Sequence, residues 1–357
     1  MCGIAGWLSR GGPIDRPAFE RMTDRLAHRG PDGRGTWYGR EGRVALGHRR
    51  LSILDLTEAG SQPMTLPGSG LWLTYNGEIY NHPQLRAELE AKGRVYRSRS
   101  DSETVLHAYD EWGEDCVTRF RGIFAFAIWD ERQGRLFAAR DHLGVKPFYW
   151  RDGPQGLAFA SQPGALLDLP GYAPEIAPDA FLDAMLYGVV PGERAAWTGV
   201  AKLPPAHVLD WRDGTARTRR YWAPPEEADI HDPARAVEEL EAMLEECVGL
   251  QMMSDVPVSS FLSGGIDSSL VTAIAARLSG GSVRTFTIGF EHESHDERPY
   301  AAAAARHVGA EQVVDVLRHE DLERAVDDAV EAFDEPFAID AALPLVALAR
   351  LAPDNGI

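Results

Sequence analysis

The sequence predicts a protein in two parts: an α+β half of layered sheets, followed by an α/β half with a parallel, doubly wound sheet. Three observations carry this expectation. Up to about Trp222, short strands joined by Gly/Pro turns follow one another without a βαβ rhythm. An acidic, proline-rich stretch, APPEEADIHDPA, then interrupts the chain. Beyond it, helical and strand patterns alternate.

Taken in order, the strands of the first half are RVALGHRRLSILDL, GLWLTYNGEIY, GIFAFAIWDERQGRLFAARD and PFYWRDGPQGLAFAS, all rich in β-branched and aromatic residues. PAFERMTDRLAH and SETVLHAYDEW carry apolar residues at helical spacing. In the second half, helix ARAVEELEAMLEECVGLQM leads to a buried strand VPVSSFL and a helix SSLVTAIAARL. Strand RTFTIGF, helix RPYAAAAARHV, strand EQVVDV and helix DLERAVDDAVEAF follow. No internal repeat or low-complexity tract is visible.

Composition narrows the function. The 357 residues hold 36 Lys+Arg against 54 Asp+Glu, a formal charge of −18, which argues against nucleic acid or an anionic membrane as partner. No run is long enough to span a bilayer, and the short apolar start lacks the basic flank of a signal peptide, so the cytoplasm is the expected compartment. Cys2, Cys116 and Cys247 are odd in number and widely spaced, which fits neither a disulfide framework nor a zinc pattern. Cys116 and Cys247 read as core filler. His292 and His295 lie in an acidic loop without further ligands, so no metal site is expected there.

Four motifs carry chemistry. A cysteine directly behind the initiator methionine, in MCGIAGW, becomes residue one when the methionine is removed. It then combines a nucleophilic thiol with its own α-amine as base. FLSGGIDSSL (261–270) reads as strand, glycine turn and helix start. Its backbone N–H groups and helix N-terminus suit a phosphate, and Asp267 facing that phosphate would need Mg²⁺ between them. The bland reading is a glycine turn with Asp267 as helix cap. In TYNGEIYN, Asn76-Gly77 reads either as a type I′ hairpin turn or as an amide and an N–H that stabilise an oxyanion. Ser100 and Glu103 form a capping-box pattern. Asp101 is then a first-turn carboxylate or a ligand for an ammonium. Arg50 is a surface charge or a bidentate clamp on a carboxylate. HRGPD (28–32) and RDHLGVKPFYW (140–150) read as structured loops.

Together MCGIAGW, HRGPDG, HRRLSILDL, YNGEIYN, SDSETVLHAY, FRGIFAFAIWD, RDHLGVKPFYW, QMMSDVPVSSFLSGGIDSS and DEPFAIDAALP, in this order along nearly the whole chain, resemble glutamine-dependent (glutamine-hydrolysing) asparagine synthetases of the asparagine synthetase B type. The resemblance implies a glutaminase domain over 1–210, an αββα N-terminal-nucleophile hydrolase of the class II glutamine amidotransferases. A linker over 211–235 and the first part of an ATP-pyrophosphatase-like domain over 236–357 would follow. By the same resemblance Cys2 attacks glutamine, and the Asn76 side chain with the Gly77 N–H holds the oxyanion. Arg50 takes the α-carboxylate, Asp101 and Glu78 lie near the α-ammonium, and Leu51, Ser52, Ile53 and Leu54 complete the glutamine site. ATP falls to Leu262, Ser263, Gly264, Gly265, Asp267, Ser268 and Ile288, with Mg²⁺ on Asp267. Released ammonia would attack an aspartyl-adenylate, giving asparagine, glutamate, AMP and pyrophosphate.

The chain stops at LARLAPDNGI, where the resemblance implies a core strand, a second glycine- and acid-rich loop and a helical region. These would supply the rest of the ATP site, a second Mg²⁺ carboxylate and the acceptor pocket. A truncated sequence, or a split gene, is the expectation. Two other functions stay open: an amidotransferase for another carboxylate acceptor, and a glutaminase-only or regulatory fragment. A homodimer is left open as well.

Overall fold

The computed structural model describes every residue except 227–229, 282, 293–295, 339–341 and 355–357. The chain divides into two units, Met1–Pro224 with Asp334–Phe337, and Pro225–Phe333 with Ala338–Ile357.

In chain order the first unit begins with β1 (Gly3–Ser9), α1 (Arg16–Asp24), β2 (Gly33–Gly39), β3 (Val44–Arg50), β4 (Met64–Thr65) and β5 (Leu71–Ile79). Next come α2 (His82–Ala91), α3 (Asp101–Trp112), β6 (Gly122–Asp130), β7 (Arg135–Arg140), β8 (Tyr149–Gly153) and β9 (Gly156–Ala160). It closes with α4 (Pro178–Tyr187), β10 (Ala201–Lys202), β11 (His207–Arg212) and β12 (Thr215–Arg220). The strands form two six-stranded sheets, ordered β10-β8-β9-β1-β3-β2 and β12-β11-β7-β6-β5-β4.

Alternation along β6 shows why the layers stack as they do. Phe124, Phe126 and Ile128 point to the side covered by α2 and α3, where they meet Leu85, Leu89, Val105 and Leu106. Ala125, Ala127 and Trp129 point the other way, into the layer shared with Ile4, Leu8, Val44 and Leu46 of the first sheet. Small alanines let the two sheets approach, as a period-two pattern buried on both faces allows. The outer face of the first sheet is covered by α1 through Phe19 and Met22. Asp15 caps that helix by accepting from the Ala18 N–H at 3.2 Å. The order of layers is helix, sheet, sheet, helix.

The second unit comprises α5 (Pro233–Gln251), β13 (Ser259–Phe261), α6 (Ile266–Leu278), β14 (Arg284–Phe290), α7 (Arg298–Val308), β15 (Glu311–Leu317), α8 (Leu322–Phe333) and α9 (Ala342–Asp354). Its three strands are parallel in the order β13-β14-β15, the βαβ arrangement that the alternation predicts. Ala301 and Ala305, one turn apart on α7, pack on Leu262 at the end of β13.

Three expectations are corrected. Residue 210 falls inside β11, and the hairpin it makes with β12 carries the first unit on to Pro224. The predicted linker 211–235 is therefore too long, and α5 takes up its last residues. Asn76 and Gly77 are not a turn: they lie in the middle of β5, opposite Ala125 and Phe124 of β6. A Cβ on Gly77 would overlap the backbone of Ile123 and Phe124, so the glycine answers a close strand approach rather than a bend. The final stretch is helical through Asp354 rather than the start of a strand, in keeping with its Leu/Ala content. Helices α2 and α4 were not anticipated.

Candidate active site

The first site sits where β1 begins, β3 ends and β5 crosses. The pairing of Gly3 with Arg49 brings Cys2 beside the residues that leave β3. The Leu51 N–H donates to Cys2 Sγ at 3.4 Å, and the thiol lies 3.6 Å from the Leu51 carbonyl oxygen. The HRGPD loop frames both: Arg29 Nε donates to the Cys2 carbonyl at 3.1 Å, and Asp32 accepts from the Ser52 N–H at 2.8 Å. Burial pushes the Cys2 thiol up, opposed by its bond from Leu51. The terminal amine, here on Met1, is held down to about 6 by burial, so at neutral pH it is a free base close to the thiol.

Cys2, Asn76, Gly77, Glu78, Asp101, Arg50, Leu51, Ile53 and Leu54 all line one cavity. Of the glutamine-site residues expected from the sequence, Ser52 alone is not in that lining. Its N–H is turned to Asp32 instead. Asn76 is 1% exposed, and its Nδ2 has no hydrogen-bond partner. A buried amide donor without a partner is costly, and Asn76 shares the lining of this cavity with Cys2.

The capping-box pattern is only half formed. Ser100 Oγ accepts from the Ser102 N–H at 3.3 Å, whereas the Glu103 carboxylate reaches past the cap to the N–H groups of Arg97 and Ser98. Asp101 is buried at the start of α3, accepting from the Tyr75 hydroxyl at 2.6 Å and the Ile79 N–H at 2.9 Å. Desolvation pushes its carboxyl up, and those bonds pull it back. Glu78 is raised to about 7 by burial and by the neighbouring Asp101. Arg50 is no loose surface charge: its guanidinium donates to the Thr57 carbonyl at 2.9 Å, the Leu54 carbonyl at 3.3 Å and the Asp55 carbonyl. A Cβ at Gly60 would overlap this guanidinium, which explains a glycine there.

The structure adds residues that the motifs concealed. Gln62 joins elements across the cavity wall, accepting from the Tyr75 N–H at 2.7 Å and donating to Ser102 Oγ at 3.1 Å. His48 is buried with Nε2 3.0 Å from the Tyr75 carbonyl, and burial lowers it to about 4. It is therefore neutral, with the proton on Nε2. Lys146, inside a loop read only as structured, lines the cavity too.

In the second unit, β13 runs through Leu262 into Ser263-Gly264-Gly265 and then α6. Gly264 needs to be glycine twice over, with φ of 86° and the Ala301 backbone against its Cα. Ser263 Oγ accepts from the Gly265 N–H at 3.2 Å and lies 3.0 Å from Ser268 Oγ. Asp267 stands exposed in the first turn of α6. Leu262 and Ile288, expected at the nucleotide, are 2% and 9% exposed. Among the described residues no group of three or more His, Cys, Asp or Glu could enclose a metal ion. His292 is exposed, and His295 lies outside the described residues. No helix among the described residues is long and apolar enough to cross a membrane.

A half-buried cysteine at the head of β1, in a cavity also lined by amide, carboxylate and guanidinium groups, defines the first unit as a glutamine amidotransferase domain, and residues 1–222 match the model of that family. Residues 239–357 match the asparagine synthase family model. The chain belongs to the glutamine-hydrolysing asparagine synthetase family. It is 35% identical over 94% of its length to asparagine synthetase (glutamine-hydrolyzing) 3 of Bacillus subtilis, covering 57% of that protein. It is 32% identical over 99% of its length to putative asparagine synthetase (glutamine-hydrolyzing) 2 of Methanocaldococcus jannaschii, covering 72%. A third relative, 33% identical over 78% of this chain and covered to 43%, is amidase chry2 of Gibberella zeae. The chain spans little more than half the length of the Bacillus relative.

Proposed function

We propose that the chain works as a glutamine-dependent asparagine synthetase of the cytoplasm. The observation that carries the glutaminase half is the partnerless Asn76 amide in the cavity of Cys2. With Met1 removed, the Cys2 α-amine takes the thiol proton as sulfur attacks the glutamine side-chain carbonyl. Asn76 Nδ2 and the Gly77 N–H receive the oxyanion. Ammonia leaves with that proton, and water then cleaves the thioester to give glutamate and free thiol. Glu78 and Asp101 face the substrate ammonium, while Arg50 faces its carboxylate.

The second unit takes ATP at Ser263-Gly264-Gly265 and Ser268, where N–H groups and a helix N-terminus suit phosphate. Leu262 and Ile288, buried beside that loop, contact the nucleotide. Mg²⁺ needs only one or two carboxylates beside phosphate and water, so the exposed Asp267 fits it; when bound, it would neutralise phosphate charge. ATP turns the aspartate side-chain carboxylate into an acyl-adenylate, releasing pyrophosphate. Ammonia displaces AMP to form asparagine. Self-association as a homodimer belongs to the same proposal and is read by sedimentation.

The relative named an amidase fits a second reading, the glutaminase-only fragment, in which amide hydrolysis at Cys2 is the whole activity. The test has two parts. Glutamine hydrolysis by the wild-type chain and by Cys2→Ala should differ by several orders of magnitude, with intact mass showing loss of Met1 in the active protein. Unchanged hydrolysis in Cys2→Ala, or full activity with Met1 retained, would overturn the first half. Pyrophosphate release with Mg·ATP and ammonium, dependent on aspartate rather than on other carboxylates, decides the acceptor.

A further inference from the structure

Lys146 is the one cavity residue whose charge the scheme above leaves without a task. It is 8% exposed, far below what a lysine normally accepts. Its backbone is fixed from both sides: the N–H donates to the buried Asp141 carboxylate at 2.9 Å, and the carbonyl accepts from Arg140 Nε at 2.8 Å. The same Asp141 also accepts from the N–H groups of Leu143 and Val145, so the loop is a rigid cradle. Among the described residues, Lys146 Nζ has no ion pair or hydrogen bond in the structure, and neither does the Glu78 carboxylate. Two opposite charges thus line one cavity, neither of them held by an ion pair or a hydrogen bond.

Their surroundings say which groups each must serve. Arg50 is held by three loop carbonyls, and Asp101 is held by Tyr75 and Ile79. The other groups acting on the pair are Cys2 and the terminal amine, Arg29, Asp141 and Tyr80. Resting on the glutaminase reading, we infer that Lys146 is a positioning residue of the glutamine site, its buried ammonium serving as built-in counter-charge for the Glu78 carboxylate and the Cys2 sulfur. A carboxylate must be ionised to hold an ammonium, and a thiol must lose its proton to attack. Both states gain from a fixed cation in a low-dielectric cavity. Desolvation lowers the lysine, while Glu78 is the foremost group raising it again. The coupling therefore runs both ways.

The experiment is the pH profile of kcat/KM for glutamine in wild type, Lys146→Met and Lys146→Arg, with Cys2→Ala as blank. Removing the cation leaves Glu78 and Cys2 more protonated at a given pH. The acid limb of Lys146→Met should move up by about one unit, lowering kcat/KM about tenfold at pH 7 and much less above pH 8.5. Lys146→Arg should restore the limb. If Lys146→Met does not fold, Lys146→Gln replaces it. In the double variant Lys146→Met/Glu78→Gln the two losses should be less than multiplicative. An acid limb unchanged by Lys146→Met or Lys146→Gln, or a loss equal at every pH, overturns the inference. Wild type no faster than the Cys2→Ala blank overturns the glutaminase reading instead.

Discussion

Along one cavity of the first unit stand a thiol, two carboxylates, a guanidinium, two amides and an ammonium. In the second unit the loop after β13 stands at the surface, with Asp267 exposed and Ile266 86% exposed beside it. The first unit has three apolar layers and many side chains with no exposure at all. Among the described residues the second holds small clusters, around Leu262 and around Ala275, and leaves Leu270, Val271, Val326 and Val330 facing out. The first unit has its own exception in α4, whose Phe181, Leu182, Met185 and Leu186 are exposed. The difference separates two ways of making a site. A reaction that develops charge needs charges and donors fixed around it, and the groups lining this cavity come from elements far apart in sequence. A phosphate loop needs a strand end, a turn and a helix N-terminus, all supplied within ten residues.

The sharpest test of the buried side is Asn76→Ala. An oxyanion donor contributes about 10²–10³ in kcat, and here the donor has no partner in the resting protein. Glutamine turnover should fall by that factor while the melting temperature changes little. A variant that melts early yet keeps its turnover would make Asn76 a packing residue of β5 and nothing more.

The same contrast explains what was legible in the sequence. The bounds of β14 and α7 coincide with RTFTIGF and RPYAAAAARHV, because a β-branched run and an alanine-rich run are local signals. The strand end, glycine turn and helix start over 261–268 were equally readable, being local too. Asn76-Gly77 was locally ambiguous, since the dipeptide favours a hairpin wherever tertiary structure does not intervene, and pairing with β6 does intervene. Lys146 gave no signal, since its charge gains meaning only once its loop closes against Cys2 and Glu78.

A next, smaller effect concerns Glu78. Its carboxyl titrates near 7 in the folded protein against about 4.3 in a free chain. The folded state binds the extra proton between those values, so this stabilisation is present below pH 4.3 and is lost as pH rises through 7. Glu78→Gln should therefore melt with the wild type near pH 4. Above pH 7.5 it should melt later, by about 1–3 kcal/mol or a few degrees, while binding glutamine more weakly. A melting difference that does not change with pH would show that Glu78 is already paired in the folded protein.

A matched pair of glycines compares the two units most directly, with the smallest expected effects. On Gly77 a new Cβ would meet the backbone of Ile123 and Phe124, and a paired strand cannot yield without parting β5 from β6. Such overpacking costs about 1–3 kcal/mol, so Gly77→Ala should lower the melting temperature by several degrees. It should also disturb hydrolysis, since Asn76 is displaced with it. On Gly265 the only near atom is Ser263 Oγ at 3.4 Å, an ordinary contact, and φ is −67°. Alanine fits that conformation and limits the unfolded chain more than glycine does, so Gly265→Ala should change stability by no more than about 0.5 kcal/mol in either direction. What it would change is the room above the N–H groups at the head of α6. Any loss there should show as weaker Mg·ATP binding at unchanged melting temperature, measured by calorimetry on the same protein. If Gly265→Ala instead unfolds the second unit, the loop belongs to the core of that unit and the proposed phosphate site is misplaced.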